Sequence, residues 1–129
     1  MRVLIVEDEP AVSLLLQDML RDLGHTVSGV APSLRTAVAI AAGAPTDLAI
    51  VDVGLAGDGG DGVDTASALR QRFGIPGLLM TGDSFVHLGD RVRVAEPVGF
   101  LQKPYTRADV ERALAEALRR LDERRARGV

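Results

Sequence analysis

Short apolar runs alternate along the chain with stretches in which apolar residues recur at the spacing of a helix. An uninterrupted apolar run of four or five residues is typical of a strand that is buried on both faces of a sheet. Four predicted strands contain such runs, at residues 3–6, 47–53, 77–80 and 98–102, and a mixed segment with fewer apolar residues predicts a further strand at 26–30. Strands buried on both faces need cover on both sides, and the stretches between them must supply it.

Those intervening stretches predict five helices, with local signals at several of their ends. Residues that favour a helix start are Pro10, Ser33 and Thr106. Glycines that favour a helix end are Gly24, Gly43 and Gly74. Asp109 lies three residues after Thr106, as in a partial capping box, and Glu116 and Arg120 form an i,i+4 pair. The third and fourth helices are predicted over residues 63–73 and 84–94, although Gly89 lies inside the fourth.

Regular alternation of strands and helices predicts an α/β fold in which a doubly wound, five-stranded parallel sheet is covered on both faces.

The 129 residues suffice for one domain, and a composition of 47% hydrophobic and 26% charged residues excludes a disordered chain. No apolar run approaches the ~20 residues of a membrane span, and the absence of cysteine excludes disulfides and thiolate chemistry. The net charge of −3 disfavours a nucleic-acid surface. We therefore expect a cytoplasmic protein with no membrane and no nucleic-acid partner.

Polar groups follow four of the predicted strands. Glu7 and Asp8 follow the first strand, Asp52 ends the third, Thr81 follows the fourth, and Lys103 follows the fifth. Because the carboxyl ends of parallel strands meet at one edge of a sheet, these groups are expected to converge there. Three converging carboxylates repel one another, and a hard divalent cation such as Mg²⁺ relieves that repulsion. Lys103 and Thr81 would then suit an anion beside the metal.

Each of these residues also has an ordinary structural interpretation. Glu7 and Asp8 can be favourable acids at a helix start, Asp52 and Thr81 can be turn residues, and a lysine before proline is usually solvated. Fourteen of the fifteen basic residues are arginine, and Lys103 is the only lysine. Base composition explains this bias, unless this one position needs a compact ammonium. The joint occurrence of all five groups at strand ends favours a binding site.

The segments that carry these groups resemble the receiver domains of two-component response regulators. They are residues 3–10, 47–52, 80–82 and 100–104, with the sequences VLIVEDEP, DLAIVD, MTG and FLQKP. Their spacing also fits that family, and the similarity covers nearly the whole chain. The resemblance implies the flavodoxin-like, CheY-like (βα)5 fold, in agreement with the alternation of strands and helices.

The resemblance implies a metal site at the edge of the sheet. Asp8 would bind Mg²⁺ (or Mn²⁺) directly, and Glu7 would bind it mainly through water. Asp52 and the backbone carbonyl of Gly54 would be further ligands. The three carboxylates are the ones that the strand pattern alone brings together.

The same resemblance implies that Asp52 is the phosphoacceptor, which takes a phosphoryl group from a phosphohistidine. Thr81 would donate a hydrogen bond to one phosphoryl oxygen, and Lys103 would pair with another. Transfer to a carboxylate needs this positioning and charge neutralisation more than it needs covalent chemistry from the protein. Phe100 occupies the aromatic switch position of the family, and ordinary core packing explains it equally well.

A single-domain response regulator is the function that the resemblance implies. The receiver would occupy residues 1–122, with the end of the last helix at 123–129 and no output domain. Its partners would be a sensor histidine kinase or phosphotransfer protein and a downstream protein that the sequence does not identify. It would relay the signal through phosphorylation-dependent contacts, or act as a phosphate sink. It would not be an enzyme beyond its own phosphorylation and dephosphorylation.

The segment after Asp52 departs from the family pattern. Receivers usually carry a proline four residues after the phosphoacceptor, where this chain has Ala56, and the glycine-rich loop 54–62 is longer than usual. The loop also matches the pattern G-x-G-x-x-G of dinucleotide sites, at Gly57, Gly59 and Gly62. A nucleotide-binding α/β enzyme is therefore the alternative function, although Asp58 and Asp61 would repel a pyrophosphate.

Overall fold

The computed structural model describes residues 1–55, 59–82 and 89–128. Within these residues, five strands alternate with five helices, as the sequence predicts. The strands are β1 (Arg2–Val6), β2 (Thr26–Ala31), β3 (Leu48–Asp52), β4 (Gly77–Thr81) and β5 (Gly99–Gln102). The helices are α1 (Pro10–Asp22), α2 (Leu34–Gly43), α3 (Gly62–Phe73), α4 (Arg91–Ala95) and α5 (Arg107–Ala126).

All five strands pair in parallel, in the order β2-β1-β3-β4-β5. This order confirms the doubly wound α/β fold, because the chain first builds on one side of β1 and then returns to build on the other. The carboxyl ends of β1, β3, β4 and β5 consequently lie at one edge. The register pairs at that edge are Val6–Val51, Asp52–Met80 and Thr81–Gln102.

The sheet separates two hydrophobic cores, because alternate side chains of each strand point to opposite faces. On β1, Val3 and Ile5 pack with α1 and α5, whereas Leu4 and Val6 pack with α2, α3 and α4. All four side chains are fully buried, which confirms that the apolar runs are strands covered on both faces. The two cores together fix the strands from both sides, and with them the edge where the polar groups lie.

The helix starts follow the predicted signals. Ser33 caps α2, since its hydroxyl oxygen accepts a hydrogen bond from the backbone N–H of Thr36 at 3.3 Å. Thr106 and Asp109 form a complete capping box at the start of α5, where the sequence indicates a partial one. Gly43 is the last residue of α2 rather than a residue beyond its end.

Glycines in the left-handed region delimit three of the other helices. Gly24 and Gly74 have φ angles of 88° and 67° just after α1 and α3, as expected for helix ends. Gly89 has a φ of 64° and precedes α4. The prediction of a helix over 84–94 is wrong at this glycine, because a left-handed residue interrupts a right-handed helix. Residues 84–88 of that prediction lie outside the described residues.

α5 is the longest described helix, with 20 residues. Its apolar stripe of Val110, Leu114 and Ala117 packs on the sheet, and the predicted pair of Glu116 and Arg120 forms on its surface at 3.1 Å. Among the helices described, none combines the length and the apolar character that crossing a membrane requires.

An ion pair fastens the opposite edge of the sheet, where β1 and β3 begin. The Asp47 carboxylate accepts hydrogen bonds from the backbone N–H of Arg2 at 2.7 Å and from its Nε and Nη2 at 3.1 and 3.0 Å. The backbone N–H of Asp47 donates in return to the Arg2 carbonyl at 2.8 Å. These contacts with Arg2 lower the pKa of Asp47 to about 2.

We predict that Asp47→Asn destabilises the protein at neutral pH and progressively less in acid. A carboxyl whose pKa is lowered by folding stabilises the protein above its unfolded pKa, near 3.8, and loses that contribution as the pH falls toward about 2. Urea unfolding of both proteins, in steps from about pH 6 to about pH 3, measures the difference in their free energies of unfolding. The exposed Asp18→Asn on α1 is the control. A wild-type advantage that stays constant down to the lowest pH would contradict the prediction.

Candidate functional site

Three carboxylates meet at the edge where β1 and β3 end. One carboxylate oxygen from each of Glu7, Asp8 and Asp52 lies within 4.8 Å of those of the other two. Glu7 and Asp52 are buried, with 2% and 6% of their surface exposed, whereas Asp8 is exposed. The structure thus brings together the three carboxylates that the sequence predicts, and it leaves one of them open to solvent.

Backbone amides orient the two buried carboxylates. Oε1 of Glu7 accepts a hydrogen bond from the backbone N–H of Glu9 at 3.1 Å. Oδ1 of Asp52 accepts one from the backbone N–H of Gly54, also at 3.1 Å. In both cases the donor lies two residues further along the chain, just beyond the end of the strand. The sequence gives no sign of these two contacts, which fix each carboxyl group by one of its oxygens.

Lys103 bridges the other oxygens of the same two carboxylates. Its Nζ lies 3.1 Å from Oε2 of Glu7 and 3.3 Å from Oδ2 of Asp52. The backbone N–H of Lys103 donates to the carbonyl of Thr81 at 2.8 Å, which continues the pairing of β4 and β5 beyond the end of β5. The side chain is 25% exposed, so the ammonium is screened from water on most sides.

Burial shifts the pKa of Glu7. It raises the pKa of Glu7, and the charge of Asp52 adds to that effect, although the Glu9 amide and Lys103 act in the opposite direction. Partial burial disfavours the charged form of Lys103, but its hydrogen bond to Glu7 and the charge of Asp52 outweigh this cost and raise its pKa. Lys103 is therefore protonated at neutral pH, and a single ammonium faces two buried carboxylates with a third, Asp8, beside them.

This set of donors fits a hard divalent cation. Mg²⁺ takes oxygen ligands in octahedral geometry and usually keeps several waters, so one or two carboxylates at an open edge suit it. Glu7, Asp8 and Asp52 supply such oxygens close to one another, and Asp8 opens the cluster to solvent. The excess of negative charge over Lys103 gives the cluster an electrostatic reason to bind a cation.

Thr81 lies on β4, the strand beside Asp52, and Phe100 lies on β5, one strand further along the sheet. Thr81 is buried at the end of β4, with 4% of its surface exposed. Phe100 is half-buried, pairs with Leu79 across β4 and β5, and packs against the core that α2, α3 and α4 cover. Core packing accounts for its position, and its role as a switch stays a prediction.

α3 begins against the backbone of Asp52, in a contact that was not predicted from the sequence. A Cβ atom at Gly62 would lie 2.0 Å from the carbonyl oxygen of Asp52, so only glycine allows this approach. Asp61 and Asp64 form a complete capping box there, and the helix starts one residue before the predicted position. The spacing of Asp61 and Asp64 is the sequence signal that could have revealed this helix start.

These contacts disfavour the dinucleotide interpretation of the loop. Gly62 serves packing against Asp52, and the carboxylates of Asp61 and Asp64 occupy the helix start where a pyrophosphate would bind. The remaining predictions about this loop concern Ala56, Gly57 and Asp58, which lie outside the described residues.

Comparison with known proteins agrees with the fold and shows the family of this chain. The family model for the response regulator receiver domain matches residues 3–115. The chain is 34% identical over 119 residues to the phyllosphere-induced regulator PhyR of Methylorubrum extorquens, a match that covers 90% of this chain and 43% of PhyR. It is 34% identical over 122 residues to the transcriptional regulatory protein PdtaR of Mycobacterium tuberculosis, covering 95% of this chain and 58% of PdtaR.

Solved structures give the same result. The solution structure of the PhyR receiver domain of Erythrobacter litoralis is 30% identical, with a TM-score of 0.75 over 91% of this chain and 88% of that one. The N-terminal domain of a response regulator, sensory box and GGDEF protein of Carboxydothermus hydrogenoformans is 26% identical. Its TM-score is 0.84, over 96% of this chain and 98% of that one. The chain belongs to the family of response regulator receiver domains. It spans about half the length of PhyR and of PdtaR, so it is similar to one part of each.

We predict that Gly62→Ala destabilises the protein by about 1–3 kcal/mol, because the new methyl group must displace either α3 or the backbone of Asp52. Urea unfolding measures the change in the free energy of unfolding. Gly43→Ala is the matched control, since Gly43 is also helical, lacks a positive φ and has no atom within 4 Å of the place a methyl group would take. The control should leave stability unchanged or raise it by up to about 1 kcal/mol. Equal stability of the two variants would contradict the close contact.

Proposed function

We propose that this receiver accepts a phosphoryl group on Asp52, in a reaction that depends on Mg²⁺, from a phosphohistidine of a sensor histidine kinase or phosphotransfer protein. The observation that carries the proposal is the position of Asp52. Asp52 ends β3, the central strand of the sheet, and its carboxylate both belongs to the cluster with Glu7 and Asp8 and lies 3.3 Å from Nζ of Lys103. Glu7 also contacts Lys103, but its side chain is fully buried, whereas that of Asp52 is 9% exposed. A nucleophile in this position has cationic groups on either side of it when the metal is bound.

The transfer is a displacement at phosphorus. A carboxylate oxygen of Asp52 forms a new P–O bond while the P–N bond to the donor imidazole breaks. The electron pair of that bond returns to the ring nitrogen, and the donor leaves as neutral imidazole if its other nitrogen carries a proton. With acetyl phosphate as donor, the broken bond is P–O and acetate leaves. The transition state spreads charge over the phosphoryl oxygens, so positioning and neutralisation of charge provide the catalysis.

Different residues around Asp52 bind the metal and the phosphoryl group. We assign Glu7, Asp8, Asp52 and the backbone carbonyl of Gly54 as the groups that hold the metal. Mg²⁺, or Mn²⁺ in its place, would neutralise developing charge on the phosphoryl oxygens. The Glu9 and Gly54 amides keep the two buried carboxylates oriented before the donor arrives.

Lys103 and Thr81 bind the phosphoryl group. Lys103 lies within 3.3 Å of an Asp52 oxygen and can transfer its ion pair from the carboxylate to a phosphoryl oxygen. Thr81, at the end of the neighbouring strand, supplies a hydroxyl donor. We propose that Phe100, on the strand that leads to Lys103, adjusts its packing when Lys103 and Thr81 move toward the phosphoryl group.

The output is proposed to be protein contact rather than catalysis of another reaction. We assign residues 1–122 to the receiver and residues 123–129 to the end of the last helix and the tail. In the phosphorylated form it either binds a downstream protein or drains phosphoryl groups from the kinase as a sink. We propose that it works in the cytoplasm, where the ATP that charges a histidine kinase is found.

We predict that incubation with acetyl phosphate and Mg²⁺ adds one phosphoryl group to the protein, as measured by intact mass spectrometry. Asp52→Asn should abolish the added mass because it removes the nucleophile. The exposed Asp18→Asn should retain it. A metal chelator should also abolish it, since three carboxylates with only the ammonium of Lys103 to balance them repel the phosphate dianion. Phosphorylation of the Asp52→Asn variant would show that the acceptor is a different residue.

We predict that Lys103→Arg separates phosphorylation from the structural response. A planar guanidinium is wider than an ammonium, and it does not fit the position of Nζ, which lies 3.1 Å from a Glu7 oxygen and 3.3 Å from an Asp52 oxygen. Phosphorylation should persist in part. The change in the amide NMR shift of Phe100 on addition of beryllofluoride, a non-covalent mimic of the phosphoryl group, should fall below half of its wild-type size. The reverse exchange on the surface, Arg120→Lys, should leave both unchanged. A response identical to that of wild type would refute the requirement for lysine.

A further inference from the structure

The first turn of α3 packs directly against the backbone of Asp52. No side chain separates them, because a Cβ at Gly62 would already lie 2.0 Å from the Asp52 carbonyl oxygen. Thr65, which is fully buried, ties the turn together by donating its hydroxyl to the carbonyl of Asp61 at 2.8 Å. Since such packing leaves no slack, a displacement of the Asp52 backbone must be matched by the start of α3.

Arg91, the first residue of α4, holds both carboxylates of that turn. Its Nη2 donates to Oδ1 of Asp61 at 2.8 Å and to Oδ1 of Asp64 at 3.2 Å. The same two aspartates form the capping box of α3, with their backbone N–H groups bonded to each other's side chains at 3.0 and 3.1 Å. Two acceptors converge on one nitrogen, so the start of α4 is placed by the geometry of the capping box.

α4 depends on contacts of this kind because it has only five residues, too few for a helix to be stable alone. Ala95 is its fully buried apolar anchor. At its other end, Arg70 donates to the carbonyl of Val94 at 2.9 Å and Arg124 donates to that of Glu96 at 3.1 Å. Those bonds lead to the later part of α3 and to α5. Among the described side-chain hydrogen bonds of α4, those made by Arg91 are the ones that lead toward Asp52.

We propose that Arg91 is a positioning residue that couples the placement of α4 to the phosphorylation state of Asp52 through the α3 capping box. The inference rests on the proposed function, because it concerns the structural effect of modifying Asp52. A phosphoryl group adds bulk and a charge of about −1.5 to −2 to the carboxylate. The Asp52 backbone adjusts to it, the first turn of α3 moves with that backbone, and Arg91 transmits the displacement to α4. A partner that contacts α4 can then distinguish the two states.

Amide NMR spectra recorded with and without beryllofluoride and Mg²⁺ test this coupling. The readout is the shift change at Val92 and Ala95 in α4, compared with the change at Asp61 and Gly62 at the start of α3. For Arg91→Ala we expect the change in α4 to fall below half of its wild-type size while the change at the start of α3 is retained. A variant that merely weakened the fold would alter both sets of signals.

Two further variants of the same helix sharpen the test. Arg91→Lys should restore part of the response. A single nitrogen of Arg91 makes both bonds, so an ammonium can take its place, but the lysine side chain is shorter and reaches the carboxylates less well. Arg93→Ala is the matched control, since Arg93 lies on the same helix, is 86% exposed and pairs only at 3.9 Å with Asp90. It should behave as wild type. If α4 loses its structure in Arg91→Ala, Asp64→Asn provides the same test from the other partner and should lower the α4 response while Asp61 still caps α3.

The outcomes separate this inference from the proposed function. A full α4 response in Arg91→Ala or Asp64→Asn, with wild type responding normally, would overturn the role of Arg91 and leave the phosphoacceptor assignment intact. A loss in Arg93→Ala equal to that in Arg91→Ala would also overturn it, because any change on the helix would then suffice. Absence of a wild-type response at Lys103 and Thr81 would overturn the proposed function itself, and with it the inference.

Discussion

The burial of two neighbouring carboxylates is the constraint around which this molecule is organised. Glu7 and Asp52 lie at the ends of adjacent strands, nearly inaccessible to water, and share a single ammonium from Lys103. Burying such a group is unfavourable unless its partners are held in place. The sheet holds them, since two hydrophobic cores fix each strand from both sides and parallel pairing fixes the register between them. The packing of the cores thus holds two buried carboxylates and one ammonium in positions that are electrostatically unfavourable by themselves. A cation and an anion bound together at this edge would balance their charges.

The connection from β3 to α3 adds a second constraint, because both of its ends rest on Asp52. At one end, the amide of Gly54 binds a side-chain oxygen of Asp52. At the other, Gly62 packs against its carbonyl oxygen. The side chain and the main chain of the same residue are therefore linked to the two ends of one segment. Glycine is needed at the second contact for a reason of space, which differs from the phosphate-binding role that the loop pattern first suggests.

The fold and the composition of the site were accessible from the sequence for identifiable physical reasons. Strands covered on both faces leave uninterrupted apolar runs, as in residues 3–6, and parallel strands place the residues after them at one edge. Glu7, Asp52 and Lys103 could therefore be brought together without coordinates. The short helix α4 could not be placed, since a left-handed Gly89 and few apolar residues hide its start. The partner of Arg91 was equally hidden, because fourteen arginines carry no sign of which carboxylate each one meets.

Because the chain uses arginine at all but one of its basic positions, a reagent that reacts with side-chain amines can be directed at the carboxylate cluster. Lys103 carries the only side-chain amine in the sequence, and that amine lies between Glu7 and Asp52 with a quarter of the side chain exposed. An acylating reagent that ignores guanidinium groups would find one side chain to label. Its rate would report the nucleophilicity of that nitrogen, which falls while the ammonium is paired and changes when the edge is occupied. Apart from the α-amine of Met1, the chain offers such a reagent no other amine, so labelling of a side chain reports directly on the site.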